Sequence, residues 1–433
     1  IKTPCWEGMM QYQHISVPSN GAQITIDSKG QWHIPDNPVI AYIEGDGVGQ
    51  DISPVMRDIV DAAVNHAYQG DKQIHWMEVF NGEKAAALYD GDWFPQETLH
   101  AVRQYKIAIK GPLTTPLGGG FRSLNVALRH EMDLFVNMRP IRSYPHLPSP
   151  LKEPEKTQIT VIRDSSEDVY SGIEWQAGSI DNERMLDFLC QEMGVTRLRF
   201  DNQCGIGIKN SSKEAAERLM RYALNFALKE HSESLTVVHK GNVLKFTDGA
   251  FKRWAFALAE QEFNAVAHEN GRWLVIKRDD QDDLIIKEVI ADNMLQQALL
   301  TPEQFDVVVT TNQNGDYLAD MLTAQVGGVG IMPAANLNNE VAFFEPTHGT
   351  FNRIAGKDSA NPTSSILSAV MMLRFMGWHE AANKIEKALE QTLSANEMTF
   401  DLANLVADAT MLSCSDFATS IIARISNSNY EPY

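Results

Sequence analysis

From residue 38 onward, strand-like runs end in polar or glycine-bearing turns and pass into helix-like runs. Residues 38–49, PVIAYIEGDGVG, read as a buried strand and its turn, and the following DISPVMRDIVDAAVNHAYQ has helical apolar spacing. A short strand around IHWMEVF, a helix through ETLHAVRQY and the apolar strand KIAIKGP come next. Near residue 135 a second region begins, with ITVIRDSSEDVYSGIEW, LTVVHKGNVLKFTDGAFKRWAFALAEQEF, LIIKEVIADNMLQQALL and FDVVVTTNQNGDYLADMLTAQVGG. Each runs from a strand pattern through polar residues toward a helix. Such alternation builds an α/β fold, and open α/β sheets place ligands at strand ends. At 433 residues the chain exceeds what one core usually organises, so two or more domains are expected.

Several function classes drop out at once. The glycines at 45, 47 and 49 miss the GxGxxG spacing, so this stretch reads as a tight turn and not as a Rossmann nucleotide site; no GxxxxGK[ST] phosphate loop occurs either. A formal net charge of −19 removes the general attraction to phosphate on which nucleic-acid binders depend. Cys5, Cys190, Cys204 and Cys414 are scattered without a CxxC pair, which fits neither a disulfide framework nor a zinc site. A reducing compartment is expected, the cytoplasm or, in a eukaryote, an organelle matrix. No apolar run approaches the length of a membrane span, and no secretory signal is evident. Residues 1–8, IKTPCWEG, read as a processed or appended end and are set aside.

Three further stretches have readings of their own. Residues 168–212, with RLRF and GIGIK, are expected to form a small separate β element. SSILSAVMMLRFMGW opens on serines suited to an N-cap and is apolar nearly all round, as in a helix buried in a core or subunit interface. KRDDQDD, residues 277–283, reads as a solvated loop.

Candidate chemistry gathers in four places. In TTPLGGGFRSLNVALRHEMDLFVNMRP, residues 114–140, three glycines precede Arg122, Ser123, Asn125, Arg129 and Arg139, a density of donors that suits an anion. Arginine takes a carboxylate through two parallel hydrogen bonds, so Arg129, Arg139 and Arg163 together suit a molecule with several carboxylates. Asp292 ends a strand pattern, and Asp316 and Asp320 share a helix face at i, i+4; such an acid pair is more often surface decoration, but the NGD entry after an apolar strand favours hard oxygen ligands for Mg²⁺ or Mn²⁺. Lys240 follows apolar strand residues expected to desolvate it, which would permit proton transfer, with Tyr170 as the complementary acid. Finally, FFEPTHGTFNRIAGKDSANPTSSILSA, residues 343–369, contains a long loop of small residues able to wrap an adenine nucleotide.

Taken together and in order, IEGDGVG, IKGPLTTPLGGGFRSLNVALR, SEDVYSGIEW, VHKGN, IADNMLQQ, NGDYLAD and THGT closely resemble the β-decarboxylating dehydrogenases of the isocitrate/isopropylmalate family, and among them the bacterial homodimeric isocitrate dehydrogenases. The likeness runs from about residue 16 to 425. It implies a non-Rossmann α/β fold with a large domain of residues 1–134 and 327–433, a small domain of 135–167 and 213–326, and a clasp of 168–212. It implies that Ser123, Asn125, Arg129, Arg139 and Arg163 bind isocitrate, that Tyr170 and Lys240 move protons, and that Asp292, Asp316 and Asp320 hold the metal. Lys240 and Asp292 would serve the neighbouring subunit's site in a homodimer with shared active sites.

For the nicotinamide cofactor the resemblance points to Thr115, Asn125, His348, Gly349, Arg353, Ile354, Asn361, Phe400, Asp401 and Asn404. NADP users of the family hold the 2′-phosphate with Lys-Tyr after HGT, a later Tyr and Arg, and an Arg from the other subunit; here Arg353, Ile354, Phe400, Asn404 and Thr301 stand there. Ile354 and Ala360 resemble NAD users, Arg353 does not, and the balance leans slightly to NAD. Asp164 and Ser165 replace the usual Glu and Asn beside Arg163 and are expected to retune the pocket. EPTHGT is shared with the isopropylmalate branch, but that branch has apolar residues where Ser123 and Asn125 stand. Two alternatives remain at this point: a sister enzyme acting on another 2-hydroxy acid, and a regulatory subunit that binds citrate-like ligands without turnover. The second should have lost metal or proton-transfer groups, and all five are present.

Overall fold

The computed structural model describes residues 12–115, 123–199, 203–279 and 282–427. The glycine knot at 118–120, Arg122, Cys5 and the opening octapeptide lie outside the described residues. Two compact units are present, one from residues 1–132, 143–152 and 323–433, the other from 133–142 and 153–322.

In the first unit, strand Val39–Ile43 lies between His75–Glu78 and Ile107–Lys110, parallel to both. Ala342–Pro346 continues the parallel run beside Ile107–Lys110, and Pro333–Leu337 pairs with it antiparallel. Ile107–Lys110 and Ala342–Pro346 are buried throughout, as expected where helices cover a parallel sheet on both faces. Helix Gly49–Tyr68 buries Ile52, Met56, Ile59, Val60 and Ala63, the three-and-four spacing of an amphipathic helix, against helices Thr363–Phe375, His379–Ser394 and Cys414–Asn427. Each such side chain contributes roughly 1.5–3 kcal/mol by leaving water, so Ile59→Asp would disrupt this face.

Helix Thr363–Phe375 is buried from Thr363 through Val370, as its all-round apolar pattern implies. Its expected serine cap is not observed. Ser364 and Ser368 lie inside the helix and donate to the carbonyls of Met332 and Ser364, while Asn361 Oδ1 accepts from Thr363 N–H at 2.9 Å. An internal serine with a nearby carbonyl needs no terminus, and Asn361 performs the capping two residues upstream.

Seven strands of the main sheet lie in the second unit among the described residues. Leu284–Ile290, Ser234–His239, Val307–Thr310 and Gln158–Asp164 run parallel; Leu274–Ile276 and Val266–Ala267 extend one edge antiparallel, and Val136–Arg142 pairs antiparallel at the other. Helices Lys213–Lys229 and Asp248–Phe263 pack with this sheet. Ser212 caps the first through its hydroxyl, which accepts from Ala215 N–H. Between residues 168 and 212, Glu174–Trp175 pairs antiparallel with Ile206–Gly207. GIGIK therefore supplies a strand, whereas the described part of RLRF, residues 197–199, forms none.

Candidate functional site

The turn predicted from EGDGVG shows why glycine is needed there. Gly47 has φ +56°, and a Cβ on it would lie 2.1 Å from the Thr350 carbonyl oxygen. That carbonyl accepts from Val48 N–H at 2.8 Å, so the turn seats the loop that follows THGT. Asp46, between the glycines, is buried and accepts from Glu83 N–H at 2.9 Å and Thr114 N–H at 2.7 Å. Burial pushes its carboxyl up, opposed by those two bonds. Asp46 was missed in the sequence; an acid in a glycine turn signals backbone anchoring as readily as solvent.

Strand ends in the second unit assemble the proton-transfer and acidic residues. Arg163 ends strand Gln158–Asp164, Arg139 lies in Val136–Arg142, and Asp316 and Asp320 rise from helix Asn312–Ala324. Arg163 Nη1 is paired with Asp316 Oδ1, and its Nε donates to Asn312 at 2.8 Å. Arg139 reaches Asp316 at 3.3 Å and Asp320 at 3.2 Å. Gly315 lets this helix approach: a Cβ there would lie 2.7 Å from Arg163 Cβ. Burial raises the Asp320 carboxyl and the Asp316 charge adds to this, although Arg139 opposes it and the side chain remains 60% exposed. Two carboxylates on one face, one of them reluctant to ionise, form an electrostatic setting that a divalent cation would relieve.

Tyr170 joins the same cluster. Its hydroxyl donates to Asp316 Oδ2 at 2.8 Å, and the Arg163 guanidinium lies 5.1 Å from its ring centre. Burial, reinforced by Asp316, pushes the phenol up to about 12, so it holds its proton throughout the neutral range. A phenol that stays protonated while hydrogen-bonded to a carboxylate can act as a general acid.

Lys240 and Asp292 form a separate ion pair, and the bond keeps the exposed Asp292 carboxyl below its ordinary range. Lys240, expected from the sequence to be partly desolvated by the apolar strand before it, stands one residue past strand Ser234–His239 with its side chain 32% exposed. Among the described residues no three His, Cys, Asp or Glu side chains converge as a metal cluster, so Asp292 does not complete the Asp316–Asp320 pair within one chain.

A buried charge network links the two loops bearing Tyr170 and Lys240. Lys209 is paired with Asp168 and lies 3.2 Å from Asp248. Asp168, two residues before Tyr170, accepts from Val169 N–H at 2.8 Å and Gln313 N–H at 3.0 Å. Asp248 accepts from Lys240 N–H at 2.8 Å and from Asn314 Nδ2 at 3.1 Å. Thus one ammonium neutralises the two acids that orient both loops. Sequence reasoning passed over all three, since GIGIK was read only as strand. Asp164 is similarly local: it accepts from Ser166 N–H and Oγ at 2.9 and 2.7 Å, and Ser165 N–H donates to the Phe135 carbonyl. The pair fixes the turn after the strand that carries Arg163.

In the first unit, Ser123 is the N-cap residue of helix Leu124–Glu131 but makes no capping bond, and Asn125 Oδ1 is buried without a partner among the described residues. Both retain capacity for a ligand at a helix N-terminus. Arg129 is anchored by Glu345 at 2.8 Å and Asn336 at 2.9 Å. Glu345 also takes Lys110 Nζ at 2.6 Å; Lys110 and Glu345 are both almost wholly buried. Burial alone would raise the Glu345 carboxyl, but Lys110 and Arg129 outweigh it and hold it well below the usual range. The three predicted arginines thus fall into two groups: Arg139 and Arg163 meet on Asp316, while Arg129 belongs to a network of the other unit.

The nucleotide candidates also lie in the first unit. The loop after THGT is tied to helix Gly49–Tyr68 by Asp51, which accepts from Gly356 N–H at 2.7 Å, and to helix Cys414–Asn427 by Asp358, which accepts from Ser415 N–H at 2.8 Å. Asn361 donates to Asp401 at 3.0 Å, bringing two predicted residues together. His348 is buried, its Nδ1 beside the Gly349 carbonyl at 2.9 Å and its Nε2 without a partner among the described residues; burial lowers its pKa. That orphaned ring nitrogen fits a bound polar group. Arg353 is exposed at the loop surface, Thr115, Ile354 and Phe400 are half-buried, and Asn404 is exposed.

A family description, isocitrate/isopropylmalate dehydrogenase, matches residues 39–421. The chain belongs to this family. It is 52% identical over 418 residues to the isocitrate dehydrogenase [NADP] of Pseudomonas aeruginosa strain UCBPP-PA14, covering 96% of this chain and all of that protein. The isocitrate dehydrogenase [NADP] of Coxiella burnetii strain RSA 493 is 50% identical over 419 residues, 96% of this chain and 98% of its own length. Among solved structures, isocitrate dehydrogenase from Methylococcus capsulatus is similar with a TM-score of 0.73 at 29% identity, covering 90% of this chain and all of that one. The resemblance drawn from the ordered motifs therefore holds, as does the α/β fold of the isocitrate/isopropylmalate family.

The slight lean to NAD finds no support. Relatives at about half identity are named for NADP, and the two residues that suggested NAD have another reason to be apolar. Ala360 is part of a buried cluster with Val48, Ile52 and Cys414, and Ile354 packs against it. Their chemistry answers to the core and says nothing of a ribose. No helix among the described residues of this family member is long and apolar enough to cross a membrane.

Proposed function

We propose that the chain catalyses NADP-dependent oxidative decarboxylation of isocitrate to 2-oxoglutarate and CO₂, as a cytoplasmic homodimer. The observation that supports this best is the convergence of two guanidinium groups, two carboxylates and a high-pKa phenol at the strand ends of one unit.

Arg139 and Arg163 bind carboxylates of isocitrate, which takes over the hydrogen bonds they now make to Asp316. Ser123, Asn125 and Arg129 supply further donors, with Arg129 held rigid by Glu345. Asp316 and Asp320, with Asp292 of a neighbouring subunit, would hold Mg²⁺ or Mn²⁺, which would supply Lewis-acid stabilisation of negative charge on the substrate oxygen. Lys240 would assist removal of the substrate hydroxyl proton, the hydride being accepted by the nicotinamide cofactor when it is bound. Tyr170, protonated at neutral pH, delivers a proton to carbon once CO₂ has left. Thr115, Asn125, His348, Gly349, Asn361, Phe400, Asp401 and Asn404 contact the dinucleotide, Ile354 backs it, and Arg353 pairs with the 2′-phosphate. Residues 1–134 and 327–433 act as the large domain, 135–167 and 213–326 as the small domain, and 168–212 as the clasp between subunits.

The test is nicotinamide reduction at 340 nm or thereabouts, read with isocitrate and Mg²⁺ and each cofactor in turn. NADP is expected to be reduced faster than NAD, and Arg353→Asp is expected to cost NADP roughly ten- to a hundredfold in kcat/KM, the range for one charge-assisted bond, with NAD use preserved. No reduction with either cofactor would refute the reading, and preference for homoisocitrate or isopropylmalate would move it to a sister enzyme. Citrate binding without turnover would favour a regulatory subunit.

A further inference from the structure

The second unit has a concave site that shares no residue with the Asp316 cluster. The ladder between Leu274–Ile276 and Leu284–Ile290 ends at the pair Leu274 and Ile286, so residues 287–290 keep a strand neighbour only on the side of Ser234–His239. A cavity of about 390 Å³ there is walled by Arg272, Trp273, Lys287, Asn293, Gln297 and Phe305. This is within the ~300–1,000 Å³ span of small-molecule sites.

Lys287 gives the cavity its chemistry. Its ammonium lies 5.9 Å from the ring centres of both Trp273 and Phe305 and donates to the Gln304 carbonyl at 2.7 Å. Lys110, Lys209 and Lys240 each have a carboxylate partner. For Lys287 no carboxylate lies within ion-pair distance among the described residues; Asp306 and Glu233 act on it only from farther away. Burial pushes the ammonium down, against the pull of those two acids. A half-buried cation with one protein acceptor for its three donors has donors left to take an anion that enters the cavity.

The rest of the lining narrows the ligand. Arg272 stands at the mouth, 72% exposed and 3.4 Å from Glu288, whose other oxygen pairs with His239 at 2.7 Å. Glu288 therefore offsets Arg272, leaving the Lys287 charge to be met by a single negative group. Half-buried Trp273 offers flat apolar surface, Phe305 closes the wall while itself buried, and the side-chain amides of Asn293 and Gln297 can meet polar substituents.

We propose that this cavity binds a small planar aromatic molecule bearing one anionic group, with the ring against Trp273 and the anion on Lys287. A carboxylate or a phosphate ester supplies the anion, and the choice of probes separates them. Nothing in this site depends on the isocitrate reading, so either can fail alone.

Isothermal titration of the full chain with benzoate, phenyl phosphate and the neutral isostere benzamide tests the assignment. At least one anion is expected to bind about tenfold more tightly than benzamide, and the tighter of the two identifies the anion source. Lys287→Met is expected to weaken that anion by about tenfold or more and leave benzamide unchanged. Equal binding of benzamide and both anions, no binding by any at millimolar concentration, or unaltered anion affinity in Lys287→Met would each overturn the proposal. Should Lys287→Met not fold, NOEs from ring protons of the bound anion to labelled Trp273 in the wild-type chain decide the matter: their presence supports the site and their absence overturns it.

Discussion

Glu345 in the first unit and Asp316 in the second are both carboxylates gripped by arginine, yet their surroundings differ in kind. Glu345 stands almost wholly buried between Lys110 and Arg129, with Asn336 completing its bonds, and its carboxyl is held far down. Asp316 shares its helix face with Asp320, meets two arginines and a phenol, and remains partly open to solvent. The first arrangement is closed: one acid answers two cations and leaves a fixed guanidinium. The second is open: Asp316 and Asp320 stay 29% and 60% exposed while they pair with Arg139 and Arg163, so these acids and arginines can still reach other partners. The contrast teaches that a buried ion pair on a strand reads as scaffold, whereas paired acids left half exposed beside arginine read as a binding site.

Removing the closed acid should have the largest effect. Glu345→Gln leaves Lys110 buried without its partner and is expected to lower the unfolding free energy by about 3–5 kcal/mol, measured by urea denaturation. A loss below about 1 kcal/mol would show that the network is not what fixes Arg129. The pH dependence follows from the depressed carboxyl: its stabilisation is fully present above the unfolded carboxylate pKa and is lost as pH falls toward the folded value. Acid titration of stability should therefore be shallower in the variant than in the parent.

An intermediate effect is expected from Lys209, which the structure connects to Tyr170 and Lys240 only through Asp168 and Asp248. If Tyr170 and Lys240 move protons as proposed, Lys209→Met should reduce kcat roughly ten- to a hundredfold by misplacing them, with a smaller change in KM for isocitrate. Lys209→Arg should recover part of the loss. Equal losses in the two variants, accompanied by a fall in melting temperature, would assign Lys209 to stability alone.

Asp320 should show the smallest change in stability, because its side chain is 60% exposed. Its raised carboxyl means that the folded state favours the protonated form, so its contribution falls as pH rises from the unfolded value toward the folded one. Asp320→Asn removes that penalty and is expected to leave stability at pH 7 unchanged or up by less than about 1 kcal/mol. A marked loss in melting temperature would place Asp320 with the closed kind of acid.

Much of this contrast was legible in the chain itself, and the reasons differ residue by residue. Apolar strands ending at Arg163 and before Asn312 announced the α/β units, because burial on both faces demands near-continuous hydrophobic runs. The spacing of Asp316 and Asp320 placed both on one helix face, and the ordered motifs brought Tyr170 to the same chemistry. Glu345 was hidden because its partners Lys110, Arg129 and Asn336 come from distant segments that only pairing of Ile107–Lys110, Ala342–Pro346 and Pro333–Leu337 brings together. Lys209 was hidden for a related reason, since its two acids lie on different loops. Ile354 and Ala360 misled in the opposite direction: residues that fill a core were read as cofactor chemistry. A lone charge in an otherwise apolar strand, such as Lys110 in KIAIKGP, is the signal that would have exposed the closed network.

The most direct test of the open cluster is Mn²⁺ binding, followed by electron paramagnetic resonance with isocitrate present, in the parent chain and in Asp316→Asn. The parent is predicted to take up the ion, and the variant, still folded by circular dichroism, to bind it roughly ten- to a hundredfold more weakly, the scale of one lost charge-assisted contact. Equal Mn²⁺ affinity in the two proteins would contradict the account, leaving Asp316 as nothing more than a counterion for Arg163.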